Sequence, residues 1–270
     1  MREIRMACWP STKNFMFRGL LLFLISWAIL LPRAWAGPPF TTDDPEPVEY
    51  RHWEIYVASQ LEHDKDGWSG TSPHFEINYG ALPNLQLHLI APVAFSASAH
   101  GATTFGYGDT EVGAKYRFFE ETDQLPQIGV FPLVEIPSGN RDRGLGSGHA
   151  QVFLPLWLQK SFGPWTTYGG AGYWINPGKD NRDWWFTGWL LQREITPELT
   201  LGAEIFHETP SETAGDSDTK LNFGGIYNFS DTYHLLFSAG HTVQGPGGFQ
   251  AYLAFQVTFG PEKAPGASKN

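Results

Sequence analysis

Seven ionisable side chains, Glu54, Glu76, Glu111, Lys115, Arg117, Glu135 and Glu204, share one parity of segments that alternate apolar with polar or small residues. Opposed charges facing a narrow enclosed space create a transverse field that orients polar solutes, and carboxylates without partners favour cations. The same groups could instead pair and brace a wall, since Glu135 lies on the segment beside the one bearing Lys115 and Arg117. Further along the chain that parity holds rings: Phe153, Trp157, Tyr168, Trp174, Trp184, Phe186 and Phe206. Rings on a wet face offer a stacking path for aromatic or amphipathic solutes, or they fill the space and pack on an inward-folded loop.

The sequence offers no catalytic set, no metal site and no cofactor site beside these residues. Nucleophilic catalysis needs a base within hydrogen-bond reach of the nucleophile. His207 and His241 fall on the opposite, outward parity with no serine on that face nearby in sequence. The nine histidines are scattered, without metal-ligand spacing or an acidic calcium loop. The only cysteine, Cys8, precedes an apolar run, so neither a disulfide framework nor a lipid-anchored amino terminus is expected.

The elements that must position the candidate residues are β-strands, because side chains alternate faces along a strand. The clearest segment sets Phe249, Ala251, Leu253, Phe255, Val257 and Phe259 against Gln250, Tyr252, Ala254, Gln256 and Thr258. Twelve such segments are expected at 51–61, 72–80, 85–95, 109–119, 126–137, 150–162, 165–175, 184–193, 199–208, 219–229, 233–242 and 249–259. Tight turns (80–84, 162–164, 194–198, 229–232) alternate with longer loops (63–71, 96–108, 138–149, 176–183, 209–218), as at the two rims of an outer-membrane barrel. Aromatic residues gather near strand ends on the apolar parity, among them Trp53, Tyr79, Trp165, Trp185, Tyr227 and Phe259. Rings at headgroup level form the girdles of such barrels. Pro92, Pro132 and Pro155 sit inside expected strands and remove ladder donors, so bulges or kinks are expected there.

The first 36 residues have the form of a secretory signal peptide. Arg2, Arg5, Lys13 and Arg18 precede an apolar run from Gly19 to Leu31, followed by Ala34-Trp35-Ala36. The run is shorter than the ~20 residues of a spanning helix. Without residues 1–36 the chain holds 13 basic and 27 acidic residues, a net charge of −14. That balance argues against nucleic acid and anionic-lipid docking.

Gly106-Tyr107-Gly108-Asp109 leading into Val112-Gly113-Ala114-Lys115-Tyr116-Arg117 resembles the signature of an outer-membrane transporter family associated with the meta-cleavage pathway of phenol degradation. Thr42-Asp43-Asp44-Pro45, residues 159–170 and Leu201-Gly202-Ala203-Glu204-Ile205-Phe206 extend the resemblance over most of the chain. The resemblance implies an outer-membrane barrel and, by the family's name, passage of small organic molecules; it implies no catalytic residue.

The expected molecule is an all-β, twelve-stranded transmembrane antiparallel barrel of the bacterial outer membrane. Its parts are a signal peptide (1–36), a periplasmic amino-terminal lead or small plug (37–49), the barrel (50–259) and a disordered tail (260–270). The expected function is passive passage of small organic molecules, aromatic ones included, without catalysis. The expected partners are outer-membrane lipid, lipopolysaccharide and a small solute; the sequence does not define the oligomeric state. A closed structural or adhesive barrel and an outer-membrane lipid hydrolase are the competing readings.

Overall fold

The computed structural model describes residues 38–99 and 101–261. The expected signal peptide and nearly all of the expected tail lie outside the described residues. Fourteen strand segments make one antiparallel sheet: β1 (Trp53–Asp64), β2 (Gly67–Leu82), β3 (Leu85–Ser98), β4 (Thr103–Tyr107), β5 (Thr110–Phe119), β6 (Gln127–Val130), β7 (Leu133–Ile136), β8 (Gln151–Phe162), β9 (Trp165–Ile175), β10 (Trp184–Thr196), β11 (Leu199–Glu208), β12 (Asp218–Asn228), β13 (Tyr233–Gln244) and β14 (Phe249–Phe259). β3 pairs with both β4 and β5, and β8 with both β6 and β7. Each of these pairs of segments is therefore one interrupted stave, and the staves number twelve. β1 closes the wall against β14 in a continuous register from Trp53↔Phe259 to His63↔Phe249. Closure pairs the first stave with the last, so the wall meets hydrocarbon without a free edge strand, and only the short β4, paired with β3 alone, has an unpaired side.

Side-chain parity follows the expected sense. Leu253 and Phe255 on β14 are 54% and 43% exposed, whereas Gln256 between staves' inner faces is 3% exposed. Elsewhere Phe75, Leu87, Leu89, Leu154, Leu156, Trp189, Leu191, Ile205 and Phe223 point outward, while Asn78, Gln86, Gln127, Gln159, Gln192 and Asn222 are buried inside. A soluble barrel would reverse this order. Aromatic pairs cap the outer band at both rims: Trp53 stacks on Tyr79 at 4.3 Å between centroids, and Tyr173 tilts against Trp185 at 4.9 Å.

The prolines lie where the ladder breaks. Pro132 occupies the gap between β6 and β7, and Pro155 of β8 faces that gap across the register from Val130↔Leu156 to Leu133↔Phe153. Pro92 faces the break between β4 and β5, where its carbonyl accepts from the Gly108 N–H at 3.0 Å. A residue without an N–H costs no ladder bond at a position where the neighbouring stave is already interrupted.

Two expected loops are strand instead. β1 and β2 continue to a tight turn at 65–66, with His63↔Trp68 and Asp64↔Gly67 paired, and β3 and β4 pair from Val93↔Tyr107 to Ala97↔Thr103. Glycine-rich composition suggested loop here, but Gly67 and Gly70 take φ of 135° and 146° within the ladder. A Cβ at Gly70 would lie 2.0 Å from the Gln60 carbonyl oxygen, so glycine permits the close strand approach.

Leu253→Arg places a charge on the lipid face near the middle of β14 and is expected to cost about 2–4 kcal/mol. Urea unfolding in liposomes measures it; a neutral result would mean that this face does not meet hydrocarbon.

Candidate functional site: a divided lumen

The barrel interior is occupied by its own amino-terminal chain. Residues 38–48 run inside the wall, where Thr42 and Asp44 are fully buried and Val48 is 6% exposed. This is the segment expected as a periplasmic lead or small plug. Its fixings cross the lumen. Lys115 Nζ on β5 donates to Asp43 Oδ1 at 2.8 Å and lies 3.7 Å from Asp44 Oδ2. Arg117 Nη1 donates to Glu46 Oε1 at 2.9 Å, and its Nε and Nη2 donate to Asn84 Oδ1. The Val48 N–H donates to Gln86 Oε1 at 2.9 Å on β3. On the far wall Glu204 of β11 accepts from the Thr41 and Thr42 N–H groups and from Asn222 Nδ2. Ser238 Oγ on β13 donates to the Pro39 carbonyl at 2.5 Å. Burial pushes the Asp44 carboxyl well above the usual carboxylate range, against the opposing pull of Lys115. Asp43, the closer and less buried of the two, is the principal counter-charge of Lys115.

This arrangement corrects one expected contact. Glu135 does not meet Lys115 or Arg117; it stands across the ladder from Glu111, and the two cations turn to the inner segment. The staggered register between β5 and β7 puts Glu135 toward the loop-bearing rim, away from the rim where Lys115 and Arg117 lie.

The remaining acids form a polar sector on β1–β5. Glu54 accepts from Tyr56 Oη at 2.7 Å. Glu76 accepts from Asn78 Nδ2 at 2.8 Å, and His88 joins Asn78 Oδ1 at 2.7 Å to Glu111 Oε1 at 2.8 Å. His74, Asn78, Gln86 and His88 were missed as site residues, although His74 and Asn78 share the parity of Glu76 on β2, and His88 and Gln86 pair with Asn78 and Gly80 of that parity across β2 and β3.

Rings occupy the opposite sector. Phe153, Trp157, Phe186 and Phe206, with Phe131, form one buried cluster. Phe153 stacks on Trp174 at 4.7 Å, Trp174 on Trp184 at 5.4 Å, and Phe186 on Phe206 at 5.6 Å. Trp157 and Tyr168 are each 1% exposed, while Trp174 and Trp184 are half-buried toward the loop-bearing rim. Backbone without side chains makes room for this filling. A Cβ on Gly172 would fall 2.2 Å from the Phe153 ring, and one on Gly188 2.0 Å from Thr42 Oγ1.

The segment 138–149 folds back against the wall at that rim. Asp109 accepts from the Gly139 N–H at 2.8 Å and from the Ser147 N–H and Oγ at 2.6 and 2.7 Å. Leu145 is thereby buried against Gly106, where a Cβ would sit 2.9 Å from its Cδ1. The run Gly106-Tyr107-Gly108-Asp109 thus spaces and fastens this loop.

With the geometry in view, the comparisons are direct. The family model described as "Putative MetA-pathway of phenol degradation" matches residues 62–259. The chain belongs to this family. Among curated proteins none matches the chain. Among solved structures, the COG4313 outer membrane channel from Pseudomonas putida F1 is similar with a TM-score of 0.70 at 15% identity, covering 83% of this chain and 100% of that one. The KdgM porin is similar with a TM-score of 0.54 at 13% identity, covering 76% and 99%, and the NanC porin with 0.53 at 7%, covering 75% and 98%. At these identities the likeness is one of fold, that of an outer-membrane β-barrel.

Lys115→Met removes the counter-charge of two carboxylates on the inner segment, an effect worth about 3–5 kcal/mol where a buried pair is broken. Single-channel conductance is expected to rise as residues 38–48 leave the lumen; unchanged conductance would show that the segment is held without Lys115. Asp109→Ala removes three accepted hydrogen bonds and is expected to lower local stability of 139–147 by about 1–3 kcal/mol, measured by hydrogen exchange of that loop.

Proposed function

We propose that this protein is a facilitator in the bacterial outer membrane for the passive passage of small organic molecules, aromatic ones among them, and that it performs no catalysis of its own. The observation that carries this reading is the two-sided interior: rings on β8–β11 face carboxylates and histidines on β1–β5 across a space that residues 38–48 divide. Twelve staves leave a lumen between the filled interior of eight and the open water of sixteen to eighteen. A segment within that lumen narrows it further, so size exclusion is strict and open diffusion of large polar solutes is disfavoured.

In this reading Trp174 and Trp184 meet the solute at the loop-bearing mouth, and Phe153, Trp157, Tyr168 and Phe186 guide it by stacking. Glu54, Glu76, Glu111, Lys115, Arg117, Glu135 and Glu204 set the potential of the facing wall. Some of these charges also brace the inner segment, and the two roles coexist because a paired charge still contributes to the field. The proteins of similar fold are an outer-membrane channel and a porin, and the family's description names phenol degradation.

A second reading, a closed structural barrel, is favoured by the buried segment at 42–48. Flux separates the two. In liposomes the wild type is expected to pass membrane-impermeant aromatic solutes faster than aliphatic ones of matched size and charge. Trp157→Ala/Trp174→Ala is expected to erase that preference, by roughly two- to tenfold for ring contacts of about 0.5–1.5 kcal/mol. Equal rates in both proteins would remove the aromatic path, and no flux with no conductance would favour the closed barrel.

A further inference from the structure

One interior cavity is built unlike the rest of the lumen. It has a volume of about 250 Å³ and lies between residues 38–43 and the inner faces of β2, β3, β5 and β14. A cavity of about 150 Å³ suffices for benzene, so this one accommodates a single ring with a short substituent. Phe40, Ile90 and Phe131 give it an apolar side, and His74, Glu76 and Glu111 a polar one.

Two residues that line this cavity each carry a buried polar atom with no partner. His74 is 4% exposed; its Nδ1 lies 2.8 Å from Thr71 Oγ1, and its Nε2 is buried without a hydrogen bond. In the tautomer that donates Nδ1–H to the Thr71 hydroxyl, Nε2 is left as an acceptor. The Tyr252 hydroxyl, whose ring centroid is 6.0 Å from that of His74, is likewise buried without a partner. An unmet buried acceptor costs about 1–3 kcal/mol, so the site is poised for a donor.

The charges around the cavity select which donor. Asp43, Glu76 and Glu111 line it. Against them stand Lys115, bound to Asp43, and His88, shared between Glu76 and Glu111. With the three carboxylates ionised, negative charge is in excess whether His88 is protonated or neutral. A carboxylate-bearing solute would bring like charge into a low-dielectric interior, whereas an ammonium group brings three donors and the complementary sign.

We propose that this cavity is a recognition site for a small primary amine with an apolar body, whose ammonium group donates to His74 Nε2 and to the Glu76–Glu111 carboxylates while its ring packs on Phe131. The inference rests on passage of small organic molecules through this interior and assigns it a preferred class.

The test is calorimetric binding to the full mature chain in detergent micelles, with benzylammonium chloride, benzyl alcohol and sodium benzoate as probes of one shape and three charge states. Benzylammonium is expected to bind at least about tenfold more tightly than benzyl alcohol, the worth of one charge-assisted hydrogen bond, and benzoate more weakly than either. Glu111→Gln and His74→Leu are each expected to weaken benzylammonium by about tenfold while leaving benzyl alcohol within about twofold. Heat-shifted gel mobility verifies that each variant is folded; His74→Leu, which removes the unmet acceptor together with the one hydrogen bond to the Thr71 hydroxyl, carries the test if Glu111→Gln does not fold. Equal binding of amine and alcohol, stronger binding of benzoate, or a folded His74→Leu with wild-type affinity overturns the proposal. Selective binding without flux would preserve this site and overturn the channel reading, whereas flux without amine preference would do the reverse.

Discussion

A lysine on the inner face of a barrel wall must find a counter-charge, and here it comes from chain that precedes the wall. Lys115 sits 4% exposed on β5, a position where an isolated ammonium would be untenable. Its neighbours across the ladder offer no anion: Gln86 faces it on β3, and Glu135 is carried toward the other rim by the register of β7. Asp43 and Asp44 meet it instead. Arg117, two residues along the same stave, draws in Glu46 in the same way. Once those contacts are made, the path of 38–48 is largely determined. It must cross to Glu204 and Ser238 on the far wall, which take up its N–H groups and the Pro39 carbonyl. The division of the lumen therefore follows from two inward cations.

The same logic applies to the wall. Closure removes the sheet edge but makes every interruption costly, because an unpaired backbone group inside hydrocarbon has no water to turn to. The chain concentrates its interruptions in one sector, around Pro92, Gly108, Pro132 and Pro155, and covers that sector from within. Leu145 and the loop fastened by Asp109 back the break at Gly108, and the Pro132 carbonyl accepts from the Ala114 N–H across the gap. The inward parity of Gln127 and Gly129 carries through the gap to Leu133 and Glu135, and Phe131 within the gap packs edge-on against His88 at 5.1 Å.

Parity made the wall legible from sequence. A period of two assigns every strand residue to one of two sides, so Leu253 and Gln256 could be placed without knowing any neighbour. Parity says nothing about depth, which is why Glu135 appeared to be a partner of Lys115 when the register sets them at different heights. It also says nothing about segments that are not strands. The inner segment Thr42-Asp43-Asp44-Pro45 shows no alternation, and only its complementarity to Lys115 and Arg117, with small Gly188 opposite Thr42, could have placed it inside. Glycine misled at 63–71 because the composition of a loop and that of a tightly apposed strand are alike; only the ladder distinguishes them. His74 and His88 were within reach, since both share the inward parity of the acids they accompany.

What these pieces make is an interior whose two halves ask for different things. Rings on β8–β11 stack on one another and satisfy themselves, so a solute there competes with contacts of its own kind. On β1–β5 the carboxylates and histidines are bound into a chain from Asn78 through His88 to Glu111. In a medium of low dielectric that chain is stiff, because each lost bond exposes a buried polar group. A molecule that pairs a flat apolar body with a hydrogen-bonding head matches both halves at once, whereas a purely polar or purely aliphatic one matches at most one. Selectivity in so narrow a lumen then arises from matching across the inner segment, and the segment itself, fixed by charge on one wall and by hydrogen bonds on the other, sets the distance over which the match must be made.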